Sequence, residues 1–135
     1  MSNDNKPQQY RDNLAEFCGH LFYVDNKVLI PRIESEDIIK FALDHLEQKQ
    51  LTHPTIIDVG TGSGCLGISL AHHLQKHDQN YSLFLADISP DVLVVARTNI
   101  EKILDNPSNI YFQQSDLLLH LPQIKFDLIL ANLPY

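Results

Sequence analysis

The residues with the clearest potential for chemistry are the glycines of Thr55–Gly67, which reads TIIDVGTGSGCLG. The glycines follow a short apolar strand and precede an apolar helix. Glycine is needed where a backbone turns sharply or where a ligand must approach without meeting a Cβ atom. The helix that follows offers unpaired N–H groups at its start. Strand, glycine turn and helix N-terminus together predict a nucleotide-type binding site at the carboxyl end of a parallel strand.

Two carboxylates and a polar segment follow three further predicted strands. Asp87 can accept hydrogen bonds from both hydroxyls of a ribose, although it would also serve as a negative charge near a helix start. Asp116 is placed to accept from an adenine amino group, or to cap a turn. The segment 132–135, NLPY, places an amide, a proline and an aromatic ring at the end of a buried strand. Such residues suit the wall of a pocket better than a core.

The elements that must position these groups alternate between strand and helix. We predict strands at Thr55–Val59, Tyr81–Ala86, Asn109–Gln113 and Phe126–Ala131, and Tyr81–Ala86 is nearly continuous in apolar residues, as in parallel sheets. We predict helices that begin after a Ser35 cap, near Cys65, and after a Ser89 cap followed by proline. This order predicts an α/β fold, with a doubly wound parallel sheet in the spatial order 3-2-1-4 and flanking helices.

The first 30 residues have a different character from the rest. Residues 1–13 are polar, and we expect a disordered or loosely helical lead-in. Phe22–Val24 and Val28–Ile30 flank Asp25–Lys27, which predicts a short hairpin with Asp-Asn in its turn. We therefore divide the chain into a lead-in with a hairpin or linker remnant, 1–30, and a partial ligand-binding domain, 31–135.

Composition narrows the possible partners and the compartment. The chain has 135 residues, 44% of them apolar, with a net charge of −7, which disfavours a general affinity for nucleic acid. Cys18 and Cys65 lack metal-type spacing and are expected to be reduced thiols, so no metal is predicted. The start carries no apolar signal segment, and no apolar run reaches membrane-spanning length. We expect a cytoplasmic protein without a membrane partner.

Several motifs resemble one family. Asp58 and the three glycines after it resemble motif I of the class I methyltransferases, and Val28–Glu36, VLIPRIESE, resembles the VLIPRPETE segment of the HemK/PrmC family. Ala86–Asn99, ADISPDVLVVARTN, and Phe126–Tyr135, FDLILANLPY, are similar to later segments of that family in the same order. The resemblance covers about Phe22 to Tyr135. It identifies the chain as similar to the N5-glutamine methyltransferases that act on peptide release factors.

The resemblance implies a Rossmann-like class I methyltransferase fold with S-adenosylmethionine as cofactor. It implies methyl transfer to the side-chain amide nitrogen of a glutamine, with a peptide chain release factor as protein partner. Asn132 and the carbonyl of Leu133 would hold the acceptor amide, Pro134 would stiffen the turn and Tyr135 would pack on the substrate. The cofactor site implied by the family comprises Asp58, Gly60, Thr61, Gly62, Gly64, Asp87, Ile88, Asp116, Leu117 and Asn132.

Two departures from the family leave alternatives open. The family motif is NPPY, whereas NLPY resembles the ribosomal RNA adenine-N6 dimethyltransferases; VLIPR and the acidic charge argue against RNA methylation. The chain is also shorter than the family, so C-terminal strands are expected to be missing and strand Phe126–Ala131 to be an exposed edge. A partner strand or a homo-oligomer would cover that edge. The third alternative is a non-catalytic methyltransferase-like module or fragment.

Overall fold

A computed structural model of the chain describes residues 5–119, 121 and 123–133. Two sheets are present, a two-stranded antiparallel hairpin and a four-stranded parallel sheet. The hairpin strands are β1 (Leu14–Phe17) and β2 (His20–Tyr23), and the parallel strands are β3 (Thr55–Val59), β4 (Ser82–Asp87), β5 (Ile110–Gln114) and β6 (Leu128–Ala131). The helices are α1 (Gln8–Asp12), α2 (Glu36–Gln48), α3 (Cys65–Lys76) and α4 (Pro90–Ile103). None of the helices within these described ranges is both long and apolar enough to cross a membrane.

The parallel sheet aligns the ends of its strands. Its spatial order is β5-β4-β3-β6, which is the order predicted from the sequence. The last residue of β3, Val59, lies beside Ala86 of β4 and Ala131 of β6. Farther out, Asp87 of β4 pairs with Gln114 of β5. The segments that follow all four strands therefore emerge at one edge, with the glycine turn at the point where the strand order reverses.

Helix α3 fixes the distance between the sheet and its helical layer. Its residues from Cys65 to Ala71 are all buried, and the helix contacts α2, α4, β3 and β4. A Cβ at Gly67 would lie 2.8 Å from Leu85 Cδ2 and 3.1 Å from Asp58 Oδ2. Glycine at this position lets the first turn of α3 approach β3 and β4 closely, directly behind the glycine turn.

The predicted hairpin is wrong in position. The hairpin that the structure contains is formed by β1 and β2. Its turn lies at Cys18–Gly19, where both residues have positive φ, 49° and 79°. That geometry matches the right-handed twist of two paired strands, so it closes a tight hairpin. Asp25 forms a separate turn instead, because its carbonyl oxygen accepts a hydrogen bond from the backbone N–H of Val28. Part of the predicted lead-in is ordered as helix α1.

The predicted Ser35 cap is also wrong. Ser35 does precede α2, but it belongs to a short 3₁₀ turn, Ile33–Ser35, and has helical backbone angles. Its side chain accepts no hydrogen bond from the helix N-terminus. Ser89 differs, because its extended backbone lets its hydroxyl oxygen accept from the Val92 N–H, as predicted for a cap.

Candidate active site

A cavity of about 770 Å³ lies at the carboxyl edge of the parallel sheet. Loops that follow all four parallel strands contribute to its wall, together with segment 27–32 and Tyr10 of α1. Every predicted cofactor residue except Gly64 lines it: Asp58, Gly60, Thr61, Gly62, Asp87, Ile88, Asp116, Leu117 and Asn132. Leu133 lines it as well, whereas Pro134 and Tyr135 lie outside the described residues.

The glycine turn uses its three glycines in different ways. Gly60, Gly62 and Gly64 all have left-handed backbones, with φ of 65°, 56° and 86°. A Cβ at Gly60 would lie 2.7 Å from Leu133 Cδ2, and one at Gly64 would lie 2.5 Å from Ile68 Cδ1. A Cβ at Gly62 would meet nothing within 4 Å. Gly64 therefore serves packing against α3, Gly60 makes room for the segment after β6, and Gly62 borders the open cavity.

Asp58 braces the glycine turn from its buried side. It is only 1% exposed, and its Oδ2 accepts hydrogen bonds from Thr61 Oγ1 at 2.8 Å and from the Gly67 N–H at 3.0 Å. Burial raises the pKa of its carboxyl to about 6, although the two hydrogen bonds act in the opposite direction. The bond from Thr61 leaves both side chains occupied with bracing the turn. Asp58 thus ties the end of β3 to the first turn of α3.

Asp87 serves the start of a helix, which is one of the two roles considered for it from the sequence, and it also contacts the glycine turn. Its Oδ2 accepts a hydrogen bond from the Gly62 N–H at 3.1 Å, and its Oδ1 accepts from the Ser89 N–H at 3.3 Å. The carboxylate therefore supports the start of α4 and the glycine turn while it borders the cavity. A half-buried carboxylate at the end of β4 is well placed to accept hydrogen bonds from neighbouring hydroxyls of a ligand.

Apolar side chains form the rim beyond Asp87. Ile88 is 62% exposed and Leu117 is 51% exposed, and both line the cavity. The loop that carries Leu117 is fixed at Ser115, whose N–H donates to the Asp87 carbonyl and whose hydroxyl donates to the Leu117 carbonyl. Asp116, between them, is exposed on the same wall. This part of the cavity offers two apolar surfaces and a carboxylate, which fits a planar base with an amino group.

The segment after β6 enters the cavity from the opposite side. Asn132 is exposed, and its Nδ2 donates a hydrogen bond to Ser35 Oγ at 2.8 Å. The half-buried side chain of Leu133 lies against Gly60. The amide of Asn132 is therefore bonded to the residue that precedes α2, whereas Leu133 is the residue that packs against the glycine turn.

Sequence reasoning missed two residues that support the site. Asn99 of α4 is fully buried, and its Oδ1 accepts from the Tyr23 N–H at 2.6 Å. Its Nδ2 donates to the carbonyls of Tyr23 and Ser63, at 2.9 and 2.8 Å. Asn99 therefore joins the hairpin to the glycine turn. The available signal was a polar amide at an inward-facing position of an apolar helix. Tyr10 was missed too; its hydroxyl donates to the Val28 carbonyl at 2.7 Å and holds segment 27–32 in place.

Neither cysteine of the chain is an activated nucleophile, and Cys65 is the one that lines the cavity. Burial, reinforced by the carboxylate of Asp58, raises the pKa of the Cys65 thiol to about 12. Burial also raises the pKa of Cys18, followed by the effect of Glu36. Burial lowers the pKa of His20 and of His73, with smaller contributions from neighbouring histidines and Lys76. At neutral pH these thiols are protonated and these imidazoles are uncharged.

The cavity fits the cofactor that the motifs predict. Its volume lies in the range of small-molecule and cofactor sites. Gly62 would leave room for the cofactor, Asp87 would hold its ribose hydroxyls, and the rim at Ile88 and Leu117 would contact its adenine ring.

Comparison with known proteins decides the family. The profile of a family described as "Methyltransferase domain" matches residues 52–134. The chain belongs to this methyltransferase family. A curated relative from Leptospira interrogans, named release factor glutamine methyltransferase, is 39% identical over 132 residues, which are 97% of this chain and 44% of the relative. One of the same name from Lactococcus lactis is 40% identical over 131 residues, with the same two coverages. The chain thus spans less than half the length of these relatives.

Solved structures agree with the fold. A ribosomal protein L11 methylase from Lactobacillus delbrueckii is 27% identical, with a TM-score of 0.57 over 82% of this chain and 51% of that chain. A putative S-adenosyl-L-methionine-dependent methyltransferase from Methanococcus maripaludis is 28% identical, with a TM-score of 0.51 over 69% of this chain and 40% of that chain. The predictions of the family and of a methyltransferase fold are confirmed, and the predicted cofactor agrees with the description of this last structure.

Proposed function

We propose that this chain provides the cofactor site and the acceptor-binding segment of an S-adenosylmethionine-dependent protein-glutamine methyltransferase. The proposed acceptor is the side-chain amide of a glutamine in a peptide chain release factor. The observation that carries the proposal is the position of Asn132 and Leu133 at the same cavity as the glycine turn. The names of the curated relatives support the choice of acceptor.

An amide nitrogen needs help as a nucleophile, because its lone pair is delocalised into the carbonyl group. Two acceptors, Asn132 Oδ1 and the Leu133 carbonyl, would bind the two N–H groups of the glutamine amide and fix the direction of its nitrogen. S-adenosylmethionine, when bound, supplies an electrophilic methyl group. The chain then contributes orientation and proximity. Transfer would break the sulfonium S–CH₃ bond and form the N–CH₃ bond, which leaves S-adenosylhomocysteine, and the nitrogen would release one amide proton to the solvent. Asn132 Oδ1 and the Leu133 carbonyl would orient the amide N–H groups and would not act as bases.

The cofactor wall has a separate task. Asp87 would bind the ribose, and Gly62 leaves space for the methionine part of the cofactor. Asp58 and Thr61 act through the turn, since their side chains are hydrogen-bonded to each other. This division predicts that changes at Asp87 weaken cofactor binding, whereas changes at Asn132 chiefly reduce transfer.

The test is transfer of a radiolabelled methyl group from S-adenosylmethionine to a glutamine-containing release-factor peptide. The matched control peptide carries asparagine in place of that glutamine, and an adenine-containing RNA oligonucleotide tests the alternative chemistry. We expect label in the glutamine peptide only, with roughly a 100-fold lower rate for Asn132→Ala. Label in the RNA alone, equal label in both peptides, or an unchanged rate in Asn132→Ala would contradict the proposal.

A further inference from the structure

Ser35 occupies a helix-capping position without capping the helix. It directly precedes α2 and is 8% exposed, yet its hydroxyl accepts no N–H from the first turn of that helix. Serine is favoured at such positions because its side chain satisfies one of these N–H groups. Glu36 and Asp37 provide negative charge in the first turn, so the helix start is stabilised in another way. The Ser35 hydroxyl is therefore available for a different contact.

That contact is with the acceptor segment. Ser35 Oγ accepts the hydrogen bond from Asn132 Nδ2 at 2.8 Å, across 97 positions of sequence. An asparagine amide has a donor end and an acceptor end, and rotation by 180° exchanges them. With Nδ2 bound to Ser35, the planar group directs Oδ1 to the opposite side. Since Asn132 lines the cavity, this orientation offers an acceptor to a bound ligand.

The orientation of the amide decides whether a glutamine amide can bind. The acceptor glutamine presents an NH₂ group, which needs oxygen atoms as partners. If the Asn132 amide were reversed, its own NH₂ would face that of the substrate, donor against donor. An exposed amide without a fixed partner would populate both orientations, and only a fraction of the molecules would be competent to bind.

We propose that Ser35 is a positioning residue, which holds the Asn132 amide with Oδ1 directed into the cavity. The proposal rests on the proposed function for its catalytic consequence, whereas the held amide itself is a property of the chain alone. The two parts therefore have separate experiments. Ser35→Ala removes the hydroxyl, Ser35→Thr retains it, and Ser69→Ala removes another buried serine hydroxyl, on α3.

The first experiment measures the side-chain NH₂ signals of Asn132 by ¹⁵N nuclear magnetic resonance, assigned through their loss in Asn132→Asp. In the unmodified chain we expect one of the two protons to exchange slowly with water. This protection should vanish in Ser35→Ala, and persist in Ser35→Thr and Ser69→Ala. Equal exchange of both protons in the unmodified chain, or unchanged protection in Ser35→Ala, would overturn the proposal.

The second experiment measures methyl transfer to the glutamine peptide. We expect the KM for the peptide to rise by about threefold to tenfold in Ser35→Ala, because the competent orientation becomes a fraction of the population. The kcat, and the affinity for S-adenosylmethionine, should change little, and Ser35→Thr should restore the KM. A purely structural role would instead lower kcat through loss of folded enzyme and leave the KM unchanged, which would overturn the positioning role.

Failure of the proposed function has a different signature. If the unmodified chain binds S-adenosylmethionine but labels no glutamine peptide, the proposed acceptor is wrong and the catalytic part of this proposal is overturned with it. The exchange measurement still decides whether Ser35 holds the Asn132 amide.

Discussion

The two sides of the cavity are built in different ways. On the cofactor side, the turn after β3 is braced by Asp58, Asp87 and Asn99, whose hydrogen bonds join it to β4, α3, α4 and the hairpin. On the acceptor side, Asn132 follows β6, the last described strand on its side of the sheet, where Ile129 is 52% exposed. The described contacts of this segment are the Asn132 bond to Ser35 and the packing of Leu133 on Gly60.

The cofactor side of the cavity is therefore pre-organised, whereas the acceptor side can adjust its geometry. Buried, mutually bonded groups hold the cofactor wall rigid, because breaking any one of them leaves another polar group unsatisfied. The acceptor segment is held by few groups, so its geometry depends on single side chains. Mutations on the cofactor side should therefore damage stability first, and mutations on the acceptor side should damage transfer first.

The largest expected difference between the two sides is in the effect of Asn99→Ala and of Asn132→Ala on the free energy of unfolding. Asn99→Ala removes three hydrogen bonds, two to the half-buried backbone of Tyr23 and one to the buried carbonyl of Ser63. We expect it to lower the free energy of unfolding by about 4 kcal/mol, measured by urea denaturation.

Asn132→Ala is the matched control on the acceptor side. Its side chain is exposed, so we expect a change in the free energy of unfolding below about 0.5 kcal/mol. Equal losses of stability in the two variants would show that the two sides are not built differently.

The next largest expected effect is the pH dependence of the free energy of unfolding that arises from titration of Asp58. Its folded pKa of about 6 lies above the ordinary value of 3.8, so the folded chain retains a proton that the unfolded chain has released. Its contribution to stability is therefore lost as pH rises from about 4 to about 6, by up to about 3 kcal/mol. We expect this pH dependence to appear in the difference between the unmodified chain and Asp58→Asn, in urea denaturation. A carboxyl signal of Asp58 that titrates near 4 in nuclear magnetic resonance would contradict it.

Gly60→Ala should have a smaller effect on the free energy of unfolding. It tests the contact between the glycine turn on the cofactor side and Leu133 on the acceptor side. The added Cβ would meet Leu133 Cδ2 and would also occupy a left-handed backbone, so we expect a loss of about 2 kcal/mol in the free energy of unfolding. Gly62→Ala has the same backbone cost without a clash, and should lose about 1 kcal/mol. Leu133→Ala should relieve Gly60→Ala but leave Gly62→Ala unaffected in a double-mutant cycle. Additive behaviour of Gly60→Ala and Leu133→Ala would exclude the contact.

The sequence predicts best those features that local patterns determine. The parallel strands follow from short apolar runs between turn signals, and the glycine turn follows from the spacing after Asp58. The hairpin was misplaced because two turn signals competed. Asp25-Asn26 is a common turn pair, but Cys18-Gly19 adopts the left-handed angles that close the strands. Local pattern favoured the wrong one.

Features that depend on distant contacts were missed. Asn99 meets Tyr23 from 76 positions away, and Ser35 meets Asn132 from 97 positions away. The sequence showed a polar residue inside an apolar helix, and a serine before another helix, without indicating a partner for either. The cavity residues at the strand ends were predictable because parallel strands bring their carboxyl ends to one edge.

The most direct test of the account is calorimetric titration of the chain with S-adenosylmethionine, comparing Asp87→Asn with Asn132→Ala. We predict saturable binding by the unmodified chain. Asp87→Asn should weaken it by about 10-fold to 100-fold, because it removes a charged acceptor of hydrogen bonds, and Asn132→Ala should weaken it much less. Absence of binding by a folded chain, or equal binding by Asp87→Asn and the unmodified chain, would contradict the assignment of the glycine turn and Asp87 to the cofactor.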